Sequence, residues 1–407
     1  MQADAKADTG LKISLPPSES LCCAEQLMLL DKVDVRNAVM KKRRADLLLT
    51  LDRPDEALQE LCTLPELDRD SETLFAMAKA QRQIGGEDME GRARELLTGL
   101  RDHGDAESPD ILIELGDIHR KRGELQTALG LFREALDIAP ANHMALRKTA
   151  VTLFDLGLVE ELHAICEELL DAGINHTRLH GTWFAVLAAL GRIDEARAVR
   201  GFETDFRKQS LAAPDGSTDP AAFNRALAGE IMASPAMRFE NSRQASCESW
   251  RVDELMVRSM PATTALLEAI ADAVEHYAEA IARTEQSDPR GLFVERMPER
   301  GRIRPWSIIT REKGHEAWHT HDKGWLSGTY YAAVPDGLAH RDDKAGAIEF
   351  GWPDRLLGEG ASERLGNKLV RPRPGMLLLF PSHIHHRTWP HGRTEDRICV
   401  SFDIMPA

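Results

Sequence analysis

The 407-residue sequence contains no apolar run approaching the roughly 20 residues of a membrane span. Its N-terminus lacks the ordered charged, apolar and small-residue regions of a secretion signal, so a cytoplasmic protein is expected. Cysteine is scarce and scattered: Cys22, Cys23, Cys62, Cys166, Cys247 and Cys399 show no C-x-x-C spacing. That pattern fits neither a disulfide framework nor a zinc knuckle, and leaves most of these residues as small buried apolar side chains. Clustered positive charge is also missing. The formal net charge is -15 and the one basic run, Lys41-Lys42-Arg43-Arg44, is short. Nucleic acid and anionic membrane surfaces both demand clustered positive charge, so neither is an expected partner.

What is present suits two or three domains, with 43% hydrophobic residues, ample for real cores. Residues 1–17 are polar, close on Pro16-Pro17, and read as a mobile tail. From 18 to 200, apolar residues recur at helical spacing, broken by short turns. Between Pro109 and Pro140 stand Leu112, Leu115, Gly116, His119, Gly123, Ala128, Phe132 and Ala135. This run resembles the 34-residue tetratricopeptide pattern, in which paired helices approach closely at the small residues and proline stops the second helix. Advancing the register by 34 gives Leu146, Ala150, Leu153, Gly157 and Leu162, and again gives Trp183, Leu187, Gly191 and Ala196. Leu74, Met77, Ala78, Gly85 and Ala93 form an upstream repeat, and Ala45, Leu48, Ala57 and Leu61 a weaker fifth. Stacked helix pairs of this kind form a curved array that commonly binds a peptide or partner segment; the plainer alternative is a stabilising platform.

Residues 201–218 read as a linker by composition. Beyond them, 219–407 forms a separate domain that opens with helices at Pro220–Met232 and Thr263–Thr284. The second is amphipathic through Leu266, Ile270, Val274, Tyr277 and Ile281, as a helix backing a sheet would be. After Pro289 come strands: Ile303–Thr310, Trp325–Val334, Ala347–Trp352, Met376–Pro381 and Arg397–Met405. Pro353–Lys368, with its three glycines, reads as a lid or a surface loop.

Eight of the fifteen histidines fall between His315 and His391. His319 and His321 project to the same side of a strand and can grip one ion together, whereas Asp322 points away unless a bulge intervenes. A remote histidine completes the minimum for a facially bound divalent ion. His383, His385 and His386 are all candidates. Arg397, Cys399 and Ser401 share one face of the last strand, and a buried arginine facing a metal site requires an anion, for which its planar fork suits a carboxylate.

Several motifs can be read together: His319-Thr320-His321, Ser327-Gly328-Thr329-Tyr330-Tyr331, Pro374-Gly375 through Phe380-Pro381-Ser382, then His386, then Arg397 through Ser401-Phe402. As a set they resemble a bacterial group of the iron(II)- and 2-oxoglutarate-dependent oxygenases, in detail over about residues 302–405. The resemblance implies a double-stranded β-helix, or jelly roll, behind the helical solenoid: an α+β multidomain chain. It assigns His319, His321 and His386 to the metal and Arg397 to the distal carboxylate of 2-oxoglutarate, with Tyr331 and Ser401 as further cosubstrate-binding residues. The wider superfamily prefers H-x-D, and here His321 holds the second position, so the site carries one less negative charge. Fe(II), 2-oxoglutarate and O2 would together hydroxylate a substrate C–H, releasing succinate and carbon dioxide. The substrate expected with a repeat array is a protein or peptide. A three-histidine zinc enzyme and a repeat adaptor with an inactive barrel are the alternatives; the first has no need of Arg397, and the second would have lost the ligands.

Overall fold

The computed structural model describes residues 10–17, 21–34, 36–102, 108–201, 204–211, 213–241, 245–256, 259–284 and 291–407. The chain divides into two compact units, Leu21–Leu162 and His163–Ala407, the second joined by the N-terminal strand.

The first unit is helical: α1 (Cys23–Asp31), α2 (Ala38–Thr50), α3 (Pro54–Cys62), α4 (Ser71–Ile84), α5 (Glu87–Asp102), α6 (Pro109–Lys121), α7 (Leu125–Ile138) and α8 (His143–Asp155). The starts are written in the sequence. Asn37, Asp70 and Asn142 accept backbone N–H groups at the first turns of α2, α4 and α8, and proline opens α3 and α6. The repeat shows in the turns as well. Gly123, Gly157 and Gly191 have φ of +78°, +71° and +76°, a left-handed conformation that side chains resist, recurring at the 34-residue period. Within the pair α6–α7, Gly116 makes room for the Phe132 ring: a Cβ at Gly116 would lie 2.3 Å from it. Phe132 therefore packs inside its own pair. Gly116→Val is expected to cost about 1–3 kcal/mol by overpacking, measured as a lower urea midpoint, and Phe132→Leu in the same chain should recover part of that loss.

The second unit holds α9 (Val159–Asp171, whose first residues lie before the division), α10 (Thr177–Ala189), α11 (Ile193–Arg200), α12 (Pro220–Met232) and α13 (Pro261–Ala282). It also holds β1 (Lys12–Ser14), β2 (Arg207–Ser210), β3 (Met237–Glu240), β4 (Ser246–Val252), β5 (Arg300–Glu316), β6 (Leu326–Ala333), β7 (Ile348–Phe350), β8 (Lys368–Val370), β9 (Met376–Pro381), β10 (His386–Thr388) and β11 (Arg397–Pro406). The major sheet runs β2-β9-β6-β11-β5-β4-β3, with β1 beside β5, and the minor sheet runs β10-β7-β8. All pairings are antiparallel except β1 with β5.

Alternation sorts each strand of the major sheet onto two faces. Ile398, Val400, Phe402 and Ile404 of β11 pack with Leu266, Ile270, Val274, Tyr277 and Ile281 of α13, so the helices back the sheet. On the other face Ile308, Tyr331, Leu378, Phe380 and Cys399 meet Ile348 and Phe350 of the minor sheet, filling the space between the sheets. The architecture is a helical-pair solenoid followed by a double-stranded β-helix with supporting helices.

Three expectations need correction. The N-terminal tail is not free over residues 11–14: Leu11 is buried, and β1 pairs with Arg300–Arg302, because Leu11 and Ile13 supply apolar contacts that a three-residue strand is too short to announce. Residues 1–9 lie outside the described residues. The linker contains β2, an edge strand bound to Met376–Leu379, whose polar exposed side chains disguised it. Pro353–Lys368 folds into helical turns at Asp354–Leu357 and Ala361–Leu365, where Ser362 Oγ accepts from Trp352 N–H and donates to Trp352 O.

Helices α10 and α11 continue the repeat register but pack on the barrel. The Phe184 ring stacks on Trp352 with centroids 3.4 Å apart. Gly181 lies against the His383 carbonyl, His180 meets His383 edge to face, and His383 Nε2 bonds Val199 O at 3.1 Å.

Candidate active site

The inward row of β11 is Arg397, Cys399, Ser401 and Asp403. Cys399, Ser401 and Asp403 stand opposite Tyr331, Thr329 and Ser327 of β6, and on the other side Arg397 stands opposite Thr310 of β5. This polar row crosses the floor of the space between the sheets.

His319 follows β5 and is exchanged backbone to backbone with His386, His319 N–H to His386 O and His386 N–H to His319 O, both at 3.0 Å. His321 N–H donates to Ser382 O at 3.0 Å. These contacts bring His319, His321 and His386 together, with one ligand atom from each lying within 4.8 Å of the others; no other such group of three occurs among the described residues. In every ring Nδ1 is already engaged: His319 with Ala317 O at 2.7 Å, His386 with Ile384 O at 3.0 Å, and His321 with Asp403 Oδ1 at 2.5 Å and Ser327 Oγ at 2.8 Å. A neutral ring that donates from Nδ1 presents its lone pair at Nε2, so the set is pre-oriented to give three nitrogen donors to a metal ion. Burial, reinforced by His321, pushes His319 down to about 3, and burial holds His386 well below the ordinary imidazole range. Both are therefore neutral and ready to ligate.

The other two histidines of the P-S-H-I-H-H run turn elsewhere. His383 is spent on Val199 O and on packing. His385 lies under the Phe184 ring, its Nδ1 without a hydrogen-bond partner in the structure. Asp322 is ion-paired with Arg178 of α10 and is not among the clustered donors.

Arg397 is 2% exposed and donates to Gly346 O at 3.1 Å and Thr388 Oγ1 at 3.2 Å. No described carboxylate forms an ion pair with it. A buried guanidinium without an acid is costly unless an anion completes it. Opposite it on β5 the Thr310 hydroxyl has no protein partner; farther along that strand, neither do Trp306 Nε1, opposite Ser401, nor Glu316 Oε1 at the strand's end. Buried polar atoms are seldom left so, and the Thr310 hydroxyl opposite the arginine offers a second group to a polar ligand bound there. Ser401 Oγ bonds Thr329 Oγ1 at 3.3 Å, and Tyr331 is buried among Leu378, Phe380 and Cys399, which raises its phenol above the ordinary range.

Asp403 and Ser327 escaped sequence reasoning. Asp403 accepts from Ser327 Oγ at 2.6 Å as well as from His321. Its parity with Arg397, Cys399 and Ser401 was the available signal. It returns, one ring removed, the negative charge that an H-x-D motif would have placed on the metal, and it fixes the orientation of the His321 ring.

Among solved structures, a prolyl-4-hydroxylase from Pseudomonas putida aligns at 15% identity over 53% of this chain and 99% of its own, with a TM-score of 0.34. MamA aligns at 18% identity over 37% of this chain and 87% of its own, with a TM-score of 0.32. TTC0263, a tetratricopeptide protein of Thermus thermophilus, aligns at 20% identity over 40% and 88%, also with a TM-score of 0.32. No curated protein matches the sequence. The three histidines, Arg397 and Asp403 all lie within residues 304–403, which match the family described as "Putative 2OG-Fe(II) oxygenase".

Proposed function

We propose that the protein is an Fe(II)- and 2-oxoglutarate-dependent dioxygenase that hydroxylates a protein or peptide side chain brought to it by the helical repeats. One observation carries the reading: three imidazoles with Nδ1 already engaged face a space that also holds a buried arginine in no ion pair with a described carboxylate. His319, His321 and His386 would hold the iron, and Arg397 would take the distal carboxylate of 2-oxoglutarate, with the Thr310 hydroxyl, directly opposite it on β5, as a second donor. Tyr331 and Ser401 would line the same pocket. When bound, the iron and cosubstrate supply the oxidation, converting 2-oxoglutarate and O2 to succinate and carbon dioxide while a substrate C–H becomes C–OH. The chain supplies position and dryness. Asp403 fixes the His321 ring, and Trp306, Phe350 and Phe380 lie against His321 or His386. A zinc enzyme would leave Arg397 without a purpose.

Support for a basic polypeptide substrate comes from the net charge of -15 and from exposed acids such as Glu160 and Glu168 on α9. Their neighbours Glu161 and Glu167 are partly answered from within, by Arg133 and His163.

Anaerobic titration of the iron-loaded protein with 2-oxoglutarate, read by the metal-to-ligand charge-transfer band, tests the reading; admitting O2 afterwards should release succinate even without substrate. Arg397→Ala should weaken 2-oxoglutarate binding about ten- to a hundredfold, the worth of a charge-assisted contact of about 1.5–3 kcal/mol, with metal content unchanged. Arg397→Lys should recover only part. Unchanged cosubstrate dependence in the alanine variant would return the zinc enzyme to favour.

A further inference from the structure

The immediate neighbour of His321 is a carboxylate, a better charge match for a divalent cation than a third imidazole. Strand alternation does not keep Asp322 away, because Ala317–Lys323 carries no strand, only the isolated bridge between His319 and His386. The backbone is pinned at His319 and His321, through His386 O and Ser382 O. The Asp322 side chain is restrained instead by its ion pair with Arg178, in the first turn of α10. A weaker contact from Thr320 Oγ1 at 3.4 Å adds to this. Both partners are largely sheltered, with side-chain exposures of 16% for Arg178 and 25% for Asp322, so the pair is screened less than a surface one. Arg178 is itself held in place, since α10 is seated on the barrel by Phe184 on Trp352, by Gly181 on His383 and by Thr177 Oγ1 donating to Gly324 O.

We infer that Arg178 is a positioning residue: it holds Asp322 out of the metal face and thereby fixes the donor set as three histidines. The inference rests on the metal reading proposed above. It assigns a helix of the repeat register a part in choosing the ligands of an ion in the barrel. Freed of its guanidinium, the carboxylate joins or displaces an imidazole, because oxygen anions suit hard divalent ions and the segment that carries it has no strand pairing to oppose the turn.

The test uses the full-length protein loaded with Cu(II), whose electron paramagnetic resonance spectrum responds to the identity of the donor atoms. Arg178→Ala should shift the parallel g value and copper hyperfine splitting from those of the parent. Asp322→Ala added to Arg178→Ala should restore the parent spectrum, and Arg178→Lys should keep it. A merely structural arginine would lower the unfolding midpoint of Arg178→Ala and leave the copper parameters alone; that result, or a shifted spectrum that Asp322→Ala fails to reverse, would overturn the inference while leaving the three-histidine site standing. Failure of the parent protein to bind copper through His319, His321 and His386 would overturn the metal reading and this inference together.

Discussion

Replacing His319, His321 or His386 by alanine is expected to abolish both metal binding and 2-oxoglutarate-dependent succinate release, in each variant separately, while the chain still unfolds cooperatively. In the proposed site three nitrogens would be the whole protein contribution to the ion, so removal of any one would leave two donors and no facial geometry. The backbone exchange between His319 and His386 does not depend on either side chain, which is why the fold should survive. The neighbouring histidines are the controls. His383→Ala should lower stability by removing the bond to Val199 O and the contact with His180, without changing metal stoichiometry. His385→Ala should leave the metal in place. Asp403→Asn belongs between the two groups: it takes the carboxylate from the His321 ring and should weaken metal binding about ten- to a hundredfold. Metal content by atomic emission after desalting, beside succinate yield, reads the whole series. A His385→Ala variant as damaged as His386→Ala would show the distal ligand to be wrongly chosen.

A chain beginning at residue 205 is expected not to fold into a stable barrel, although every candidate ligand and Arg397 lie within it. Trp352 is fully buried and its face is covered by Phe184, 1% exposed, from α10. Stripping α10 uncovers an aromatic ring of about 150–250 Å², worth about 4–6 kcal/mol at roughly 25 cal/mol per Å². It also takes from His383 its bond to Val199 O and from Arg296 its bond to Thr177. Loss of β1 takes Leu11 from the core behind the sheet. Such losses approach the whole stability of a typical domain. Thermal unfolding and size-exclusion chromatography should show aggregation or no cooperative transition. In the full chain, Phe184→Ala alone should cost about 3–5 kcal/mol. A monomeric 205–407 fragment that melts as cooperatively as the intact protein would refute this account of α10.

The parts of the structure legible in the sequence are those with a period or a motif. Helices α6 and α7 follow from Gly116, Phe132 and Pro140, and β9 spans Met376–Pro381 as its apolar run suggests. Helix α13 shows its buried stripe at the expected residues. The structure brings His319, His321 and His386 into one group, and Arg397 lies on the inward face of β11 that its parity implies. What escaped was determined by distant partners. Strands β1, β2 and β3 are three or four residues long, too short for alternation to register, and exist because a longer strand offers them an edge. Asp403 looked like an ordinary polar residue near a strand end until the fold set it against His321. Arg178, 144 positions before Asp322 in the chain, carries no local signal at all.

The placement of β1 has a consequence for how the protein is made. Its Ser14 hydroxyl bonds Gly301 O, 287 residues away along the chain. A ribosome adding about 5–20 residues per second takes roughly 15–60 s to synthesise that interval. The helical pairs, whose contacts are mostly local, have ample time to form as they emerge. The first strand waits, Leu11 and Ile13 unburied, until β5 has been synthesised and laid down. It is the earliest segment to leave the ribosome among those described and one of the last able to find its place. During that interval a newly made chain exposes the unpaired edge of β1, and chaperone binding to nascent chains should concentrate there.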